Sequence, residues 1–135
     1  MNSAKDHELA LAEQAKFDRI NGIEEQPRPR LVNLIQGQGY GFFLHDQDGH
    51  YLTQIAPGEP ADLAGVKEND RIVEINGINV ESATHSHVVD LIRKSDGKVR
   101  FLVVDKKTDK YYKSRHIRVT SDLMRIELLT TSTDL

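Results

Sequence analysis

Gly37, Gly39 and Gly41 flank Tyr40 and lead straight into Phe42. A chain that must turn several backbone N–H groups toward one anion needs small residues where it bends inward. The amides of Tyr40, Gly41 and Phe42 are therefore candidates to converge on a single carboxylate. A glycine-rich hairpin turn looks the same, so this segment alone does not decide between the two. A second group of reactive side chains is His85, His87 and Asp90. A neutral imidazole nitrogen accepts a hydrogen bond from a hydroxyl, but histidines at i and i+2 of a helix face different ways and do not share a metal. No metal and no cofactor are expected. The chain has no Gly-x-Ser-x-Gly elbow, no His-Glu-x-x-His and no phosphate-loop lysine, so no catalytic residue is assigned and an enzyme is not expected.

The elements that would position these groups lie in a dense zone from Arg30 to Asp105. Strands are predicted at Leu31–Ile35, Tyr40–Leu44, Tyr51–Ile55, Arg71–Ile75 and Val99–Val104, the last apolar enough to be central. Asp46-Gln47-Asp48-Gly49 and Asn76-Gly77 read as turns. Ala61–Ala64 makes about one helical turn ended by Gly65. Thr84 opens the clearest helix, on which Val88, Val89, Leu91 and Ile92 form a wide apolar face before Gly97. Residues 1–29 are a polar extension with two open readings, a short amphipathic helix from Ser3 to Ile20 or a solvated linker. Residues 106–135 form a basic extension and a polar tail, with one more short element expected from Leu123 to Leu129.

Four segments, in this order and spacing, resemble the PDZ domain across residues 30–105. Gly39-Tyr40-Gly41-Phe42 is similar to its carboxylate-binding loop, and Pro57 to Gly65 to its short first helix. Asn69 to Gly77 matches the strand and turn that follow, and Thr84 to Arg93 the second helix. The loop, together with Val99 to Asp105 and Thr108-Asp109, is most like the tandem-PDZ scaffolds of the Na⁺/H⁺-exchanger regulatory factor group. The fold implied is mainly β with two α-helices, a five- or six-stranded partly open antiparallel barrel or sandwich.

The function implied is a non-catalytic scaffold or adaptor that binds C-terminal peptides ending Ser/Thr-any-hydrophobic by strand addition. Tyr40, Gly41 and Phe42 would bind the carboxylate, with Arg93 helping through water. Tyr40, Phe42, Leu44, Val89 and Ile92 would line the pocket for the terminal side chain, and His85 would accept the ligand hydroxyl. Phe43 and Thr53 would touch other ligand side chains. Related domains carry an arginine where Thr53 stands, so a strong preference for an acid next to the ligand's end is not expected. The partners implied are the C-terminal tails of channels, transporters and receptors. This places the protein in the cytoplasm, at the inner face of the plasma membrane through those partners.

The chain's own ending, Thr133-Asp134-Leu135, looks like such a ligand, and head-to-tail self-association is a further expectation. The 135 residues suit one domain with extensions, at 38% hydrophobic and 29% charged residues. A net charge of −3 gives no reason to expect nucleic acid, and the absence of cysteine excludes disulfides. With no long apolar run and no secretory start, a soluble intracellular protein is the plain reading. The alternative function is an anionic membrane-surface module through residues 106–118. Six lysines and arginines there, against the single acid Asp109, have Tyr111 and Tyr112 interleaved. A solvated strand or linker is the preferred reading of that stretch, which makes any membrane contact indirect.

Overall fold

The computed structural model describes residues 27–123. The expected N-terminal helix, the short element after Leu123 and the tail residues Thr133, Asp134 and Leu135 lie outside the described residues. Residues 28–121 form one compact unit. Its elements in chain order are β1 (Arg30–Ile35), β2 (Phe43–Asp46), β3 (His50–Thr53), α1 (Pro60–Leu63), β4 (Asp70–Ile75), β5 (Ile78–Asn79), α2 (His85–Lys94), β6 (Lys98–Val104) and α3 (Lys106–Ser114).

The strands make one antiparallel sheet in the order β1-β6-β4-β3-β2, with β5 paired to β4. Strand β6 is central, as its apolar run Phe101-Leu102-Val103-Val104 demands, and those four residues are fully buried. In β1 the burial alternates, with Val32 and Leu34 inside and Asn33 and Ile35 outside, which is the period-two signature of a strand covered on one face. The Asn76-Gly77 turn has φ of 49° and 84° at its two residues, the geometry of a tight hairpin that asparagine and glycine adopt most cheaply. Helix α2 starts where Thr84 caps it, its side chain accepting from the His87 amide at 3.2 Å, and it sends Val88 into the core.

All six residues of strand β4 are buried, three of them charged. Asp70 is paired with Arg30 and also accepts from the Lys67 amide at 2.7 Å. Arg71 donates to Glu81 at 2.7 Å and to Asp109 at 2.6 Å. Glu74 accepts from the Ser121 amide at 3.2 Å. A buried charge is tolerable only with such partners.

The stretch after Asp105 is neither a strand nor a linker. It is the helix α3, capped by Asp105, whose carboxylate accepts from the Thr108 amide at 2.7 Å. Thr108 and Tyr112 are buried, so α3 packs on the unit instead of lying in solvent. A helix, α3, thus follows β6 directly, within the compact unit of residues 28–121.

Candidate functional site

Strand β2 is the last strand of the sheet, and among the described residues nothing pairs with its outer edge. The loop before it is fixed from behind. The Tyr40 carbonyl accepts from the Ala61 amide, and the Gly41 carbonyl from the Ala56 amide, both at 2.9 Å. In a planar trans peptide the N–H points opposite to the carbonyl. Anchoring these two carbonyls inward therefore turns the Gly41 and Phe42 amides outward, on the side of the open edge. Among the described residues no group accepts a hydrogen bond from the Tyr40, Gly41 or Phe42 amide. Three consecutive amides without an acceptor are the kind of donor set that an anion can satisfy.

The three glycines of this loop are not equivalent. Only Gly41 has a positive φ, +80°, and a Cβ placed there would collide with the Glu59 side chain. Gly37 and Gly39 have open space around them and no such backbone constraint. The expectation that all three supply backbone freedom narrows to Gly41.

The apolar side chains around the loop come from the loop itself, from β2 and from α2. Tyr40, Phe42, Leu44, Leu91 and Ile92 are half-buried and pack on the core. Phe42 sits edge-on to Phe101 at 5.8 Å and is stacked with Tyr40 at 6.2 Å. These rings tie the pocket floor to the centre of the sheet. Val89 is half-buried one turn before Ile92. These apolar groups keep part of their surface exposed.

His85 is exposed at the first position of α2, beside Asp46 at the far end of β2. His85 thus stands at the end of β2 away from the amide loop, three residues along the strand from Phe43. Phe43 is 64% exposed, as its outward alternation requires. Thr53 is paired with Phe43 across the hairpin and is half-buried. Arg93 is exposed in the last turn of α2, and no hydrogen bond or ion pair joins it to the loop among the described residues. The loop amides, and not Arg93, are thus the donors found at the head of β2 among the described residues.

The basic stretch has a different arrangement from the one its composition suggests. Tyr112 is buried and Tyr111 lies under the Arg115 guanidinium at 3.8 Å, so the aromatics are not a free lipid-facing set. Asp109 is engaged by Arg71 and by Lys113 at 3.1 Å. Burial pushes the Asp109 carboxyl up, but the hydrogen bonds and charges of Arg71 and Lys113 outweigh it, and the net shift is downward. No helix among the described residues is long and apolar enough to cross a membrane.

Sequence reasoning missed α3, β5 and the proximity of Asp46 and His50 to His85. For α3 the signals were Asp105 three residues before Thr108 and the Asp109–Lys113 spacing of an i,i+4 pair.

Comparison with known proteins agrees with this geometry. The chain is 45% identical over 103 residues to the rabbit (Oryctolagus cuniculus) Na(+)/H(+) exchange regulatory cofactor NHE-RF2, covering 73% of this chain and 33% of that protein. Identity to the mouse (Mus musculus) NHE-RF2 is 43% over 103 residues, covering 73% of this chain and 31% of that protein. The chain thus spans about a third of the length of these curated relatives. Among solved structures it is similar to the PDZ domain of a choanoflagellate SHANK1 bound to a GIRK3 peptide. The TM-score there is 0.56 at 28% identity, over 61% of this chain and 97% of that one. The family model of the PDZ domain matches residues 31–104, the stretch that carries the sheet, the amide loop and α2, and the chain belongs to the PDZ domain family.

Proposed function

We propose that this domain is a scaffold or adaptor module that captures the free C-terminus of another protein as an added strand on β2. The observation that carries this reading is the row of three unaccepted amides, Tyr40 to Phe42, at the head of an unpaired strand edge. A peptide entering antiparallel to β2 would satisfy the edge and end with its carboxylate on those amides. Its terminal side chain would cover Tyr40, Phe42, Leu44, Val89 and Ile92, which favours Leu, Val or Ile. Two residues earlier, a Ser or Thr hydroxyl would donate to the His85 ring. Phe43 and Thr53 would meet the side chains that alternate outward, and Arg93 would add a long-range attraction. The cargo in this reading is the cytoplasmic tail of a membrane protein such as a channel, transporter or receptor, gathered at the inner face of the plasma membrane.

The test is fluorescence anisotropy with a labelled peptide ending Thr-Asp-Leu and its C-terminally amidated twin. The free acid should bind at roughly micromolar affinity, about −8 kcal/mol. Amidation removes the anion and should weaken binding at least about tenfold. Equal affinity for the two would overturn the assignment of the loop.

A further inference from the structure

The tip of the β2–β3 hairpin meets the start of α2 at a second set of donor atoms. Asp46 and His50 are directly opposed across the hairpin, which puts their Cβ atoms about 4.5–5.5 Å apart on one face. His85 joins them from α2. One carboxylate oxygen of Asp46 and one ring nitrogen of each histidine all lie within 4.8 Å of one another. Asp46 and His85 are exposed, whereas His50 is fully buried. The neighbouring His45 is turned to Gln47, 3.0 Å away, and is not part of the set.

The state of the His50 ring gives this set a direction. Its Nε2 lies 2.7 Å from the Ala83 carbonyl oxygen, which only accepts, so Nε2 carries the proton. In the neutral ring Nδ1 then holds a bare lone pair. That Nδ1 is buried and has no hydrogen-bond partner. A buried acceptor without a donor is unfavourable by itself. With the far N–H fixed on a backbone carbonyl, the ring is oriented as metal-binding imidazoles are.

We propose that Asp46, His50 and His85 bind a divalent transition-metal ion, best matched by zinc, through the Asp46 carboxylate, His50 Nδ1 and a His85 ring nitrogen. Imidazole and carboxylate donors suit zinc, and three protein ligands leave a fourth position open. Tetrahedral ligation with bonds of about 2.0–2.1 Å needs its donor atoms closer together than the 4.8 Å that bounds their separations here. The exposed Asp46 and His85 side chains can close that gap by rotation around the fixed His50 ring. The ion would tie the hairpin to α2, the two walls of the groove. Resting on the peptide reading above, it would also occupy the His85 nitrogen that a ligand hydroxyl needs. In exchange it offers an open coordination position to a carboxylate at the same ligand residue.

The full chain, freed of metal with EDTA, is titrated with Zn²⁺ by calorimetry, and with Co²⁺ by visible absorption to report the ligand geometry. One equivalent should bind with a tetrahedral Co²⁺ spectrum. Asp46→Asn and His85→Gln should each weaken binding at least tenfold, whereas His87→Gln and His116→Gln should not. Variants of His50 are set aside because the ring is packed in the interior and holds Ala83. No saturable equivalent up to millimolar Zn²⁺, or unchanged affinity in both Asp46→Asn and His85→Gln, overturns the site. Peptides carrying Thr or Asp third from the end are then compared in EDTA and in Zn²⁺. The Thr/Asp affinity ratio should shift at least fivefold toward Asp with zinc, and an unchanged ratio overturns the switch in preference. Metal binding without peptide tests the ion site, and Thr-peptide binding in EDTA tests the groove, so the two readings fail separately.

Discussion

Arg71 and Asp109 meet at 2.6 Å across 38 positions of sequence, joining the buried strand β4 to the helix α3. The same guanidinium reaches Glu81 at 2.7 Å, so one buried cation serves two carboxylates. Removing Asp109 leaves the buried guanidinium with Glu81 as its remaining partner here and takes away the acceptor of its second nitrogen, and a buried donor without an acceptor is costly. Asp109→Ala is expected to destabilise the unit by about 1–3 kcal/mol, read from denaturant midpoints at constant slope. Lys113 contacts the same carboxylate from an exposed position, so Lys113→Ala should change stability by less than about 0.5 kcal/mol. Equal effects from the two variants would show that α3 is not seated by Arg71.

The same cluster gives stability a pH dependence of definite sign. Burial raises the Asp109 and Glu81 carboxyls, but hydrogen bonds and nearby cations outweigh it, and both end below the ordinary range. For Glu81 those hydrogen bonds come from Asn79 and Arg71. A carboxyl with a depressed folded pKa contributes stability that is present above its unfolded value and lost as pH falls through the folded value. Stability should therefore hold above the usual carboxylate range of about 4 and fall below it. In Asp109→Asn the decline between about pH 4 and pH 2 should be shallower. Urea denaturation across that window checks this, and parallel curves for the two proteins would contradict it.

What was legible in the sequence depended on whether its signal was local. Asn76-Gly77 and the Thr84 cap announce their own geometry within four residues, and both occur as read. The three glycines before Phe42 look alike as letters. Only the approach of Glu59 and the anchoring by Ala56 and Ala61 single out Gly41. The basic stretch reads as a solvated strand or linker because the helix α3 is seated by a partner of Asp109 that lies 38 positions away. Asp46, His50 and His85 share no sequence spacing at all. Their meeting is set by the hairpin register and by where α2 starts. The spacing of His85, His87 and Asp90 along one helix gives no hint of Asp46 and His50, which reach His85 from the sheet.

Gly41 has two separable demands on it, a left-handed backbone at φ +80° and the room taken by Glu59. Gly41→Ala should therefore destabilise by more than the roughly 1 kcal/mol that a left-handed alanine costs. Adding Glu59→Gly removes the collision and not the backbone strain, so the double variant should recover part of the loss. Gly39→Ala, with open space around it, should stay within about 0.5 kcal/mol of the parent. Thermal melts of the four proteins check the pattern. A double variant no more stable than Gly41→Ala alone would show that the contact with Glu59 carries no energy.

His85 stands exposed at the first position of α2 and makes no cap, since Thr84 does that, so its removal should leave the helix intact. If its ring accepts a ligand hydroxyl, His85→Ala should weaken peptides with Ser or Thr third from the end by about 1 kcal/mol, roughly fivefold. Peptides with Val at that place have no hydroxyl to donate and should lose much less. His85→Gln keeps a carbonyl acceptor on a flexible side chain and should fall between parent and alanine for Thr peptides. These comparisons belong in EDTA, where no ion competes for the ring. Calorimetry with paired Thr and Val peptides gives the coupling energy directly from the four affinities. A coupling near zero, with both peptides weakened alike, would assign His85 to the wall of the groove and not to recognition of the hydroxyl.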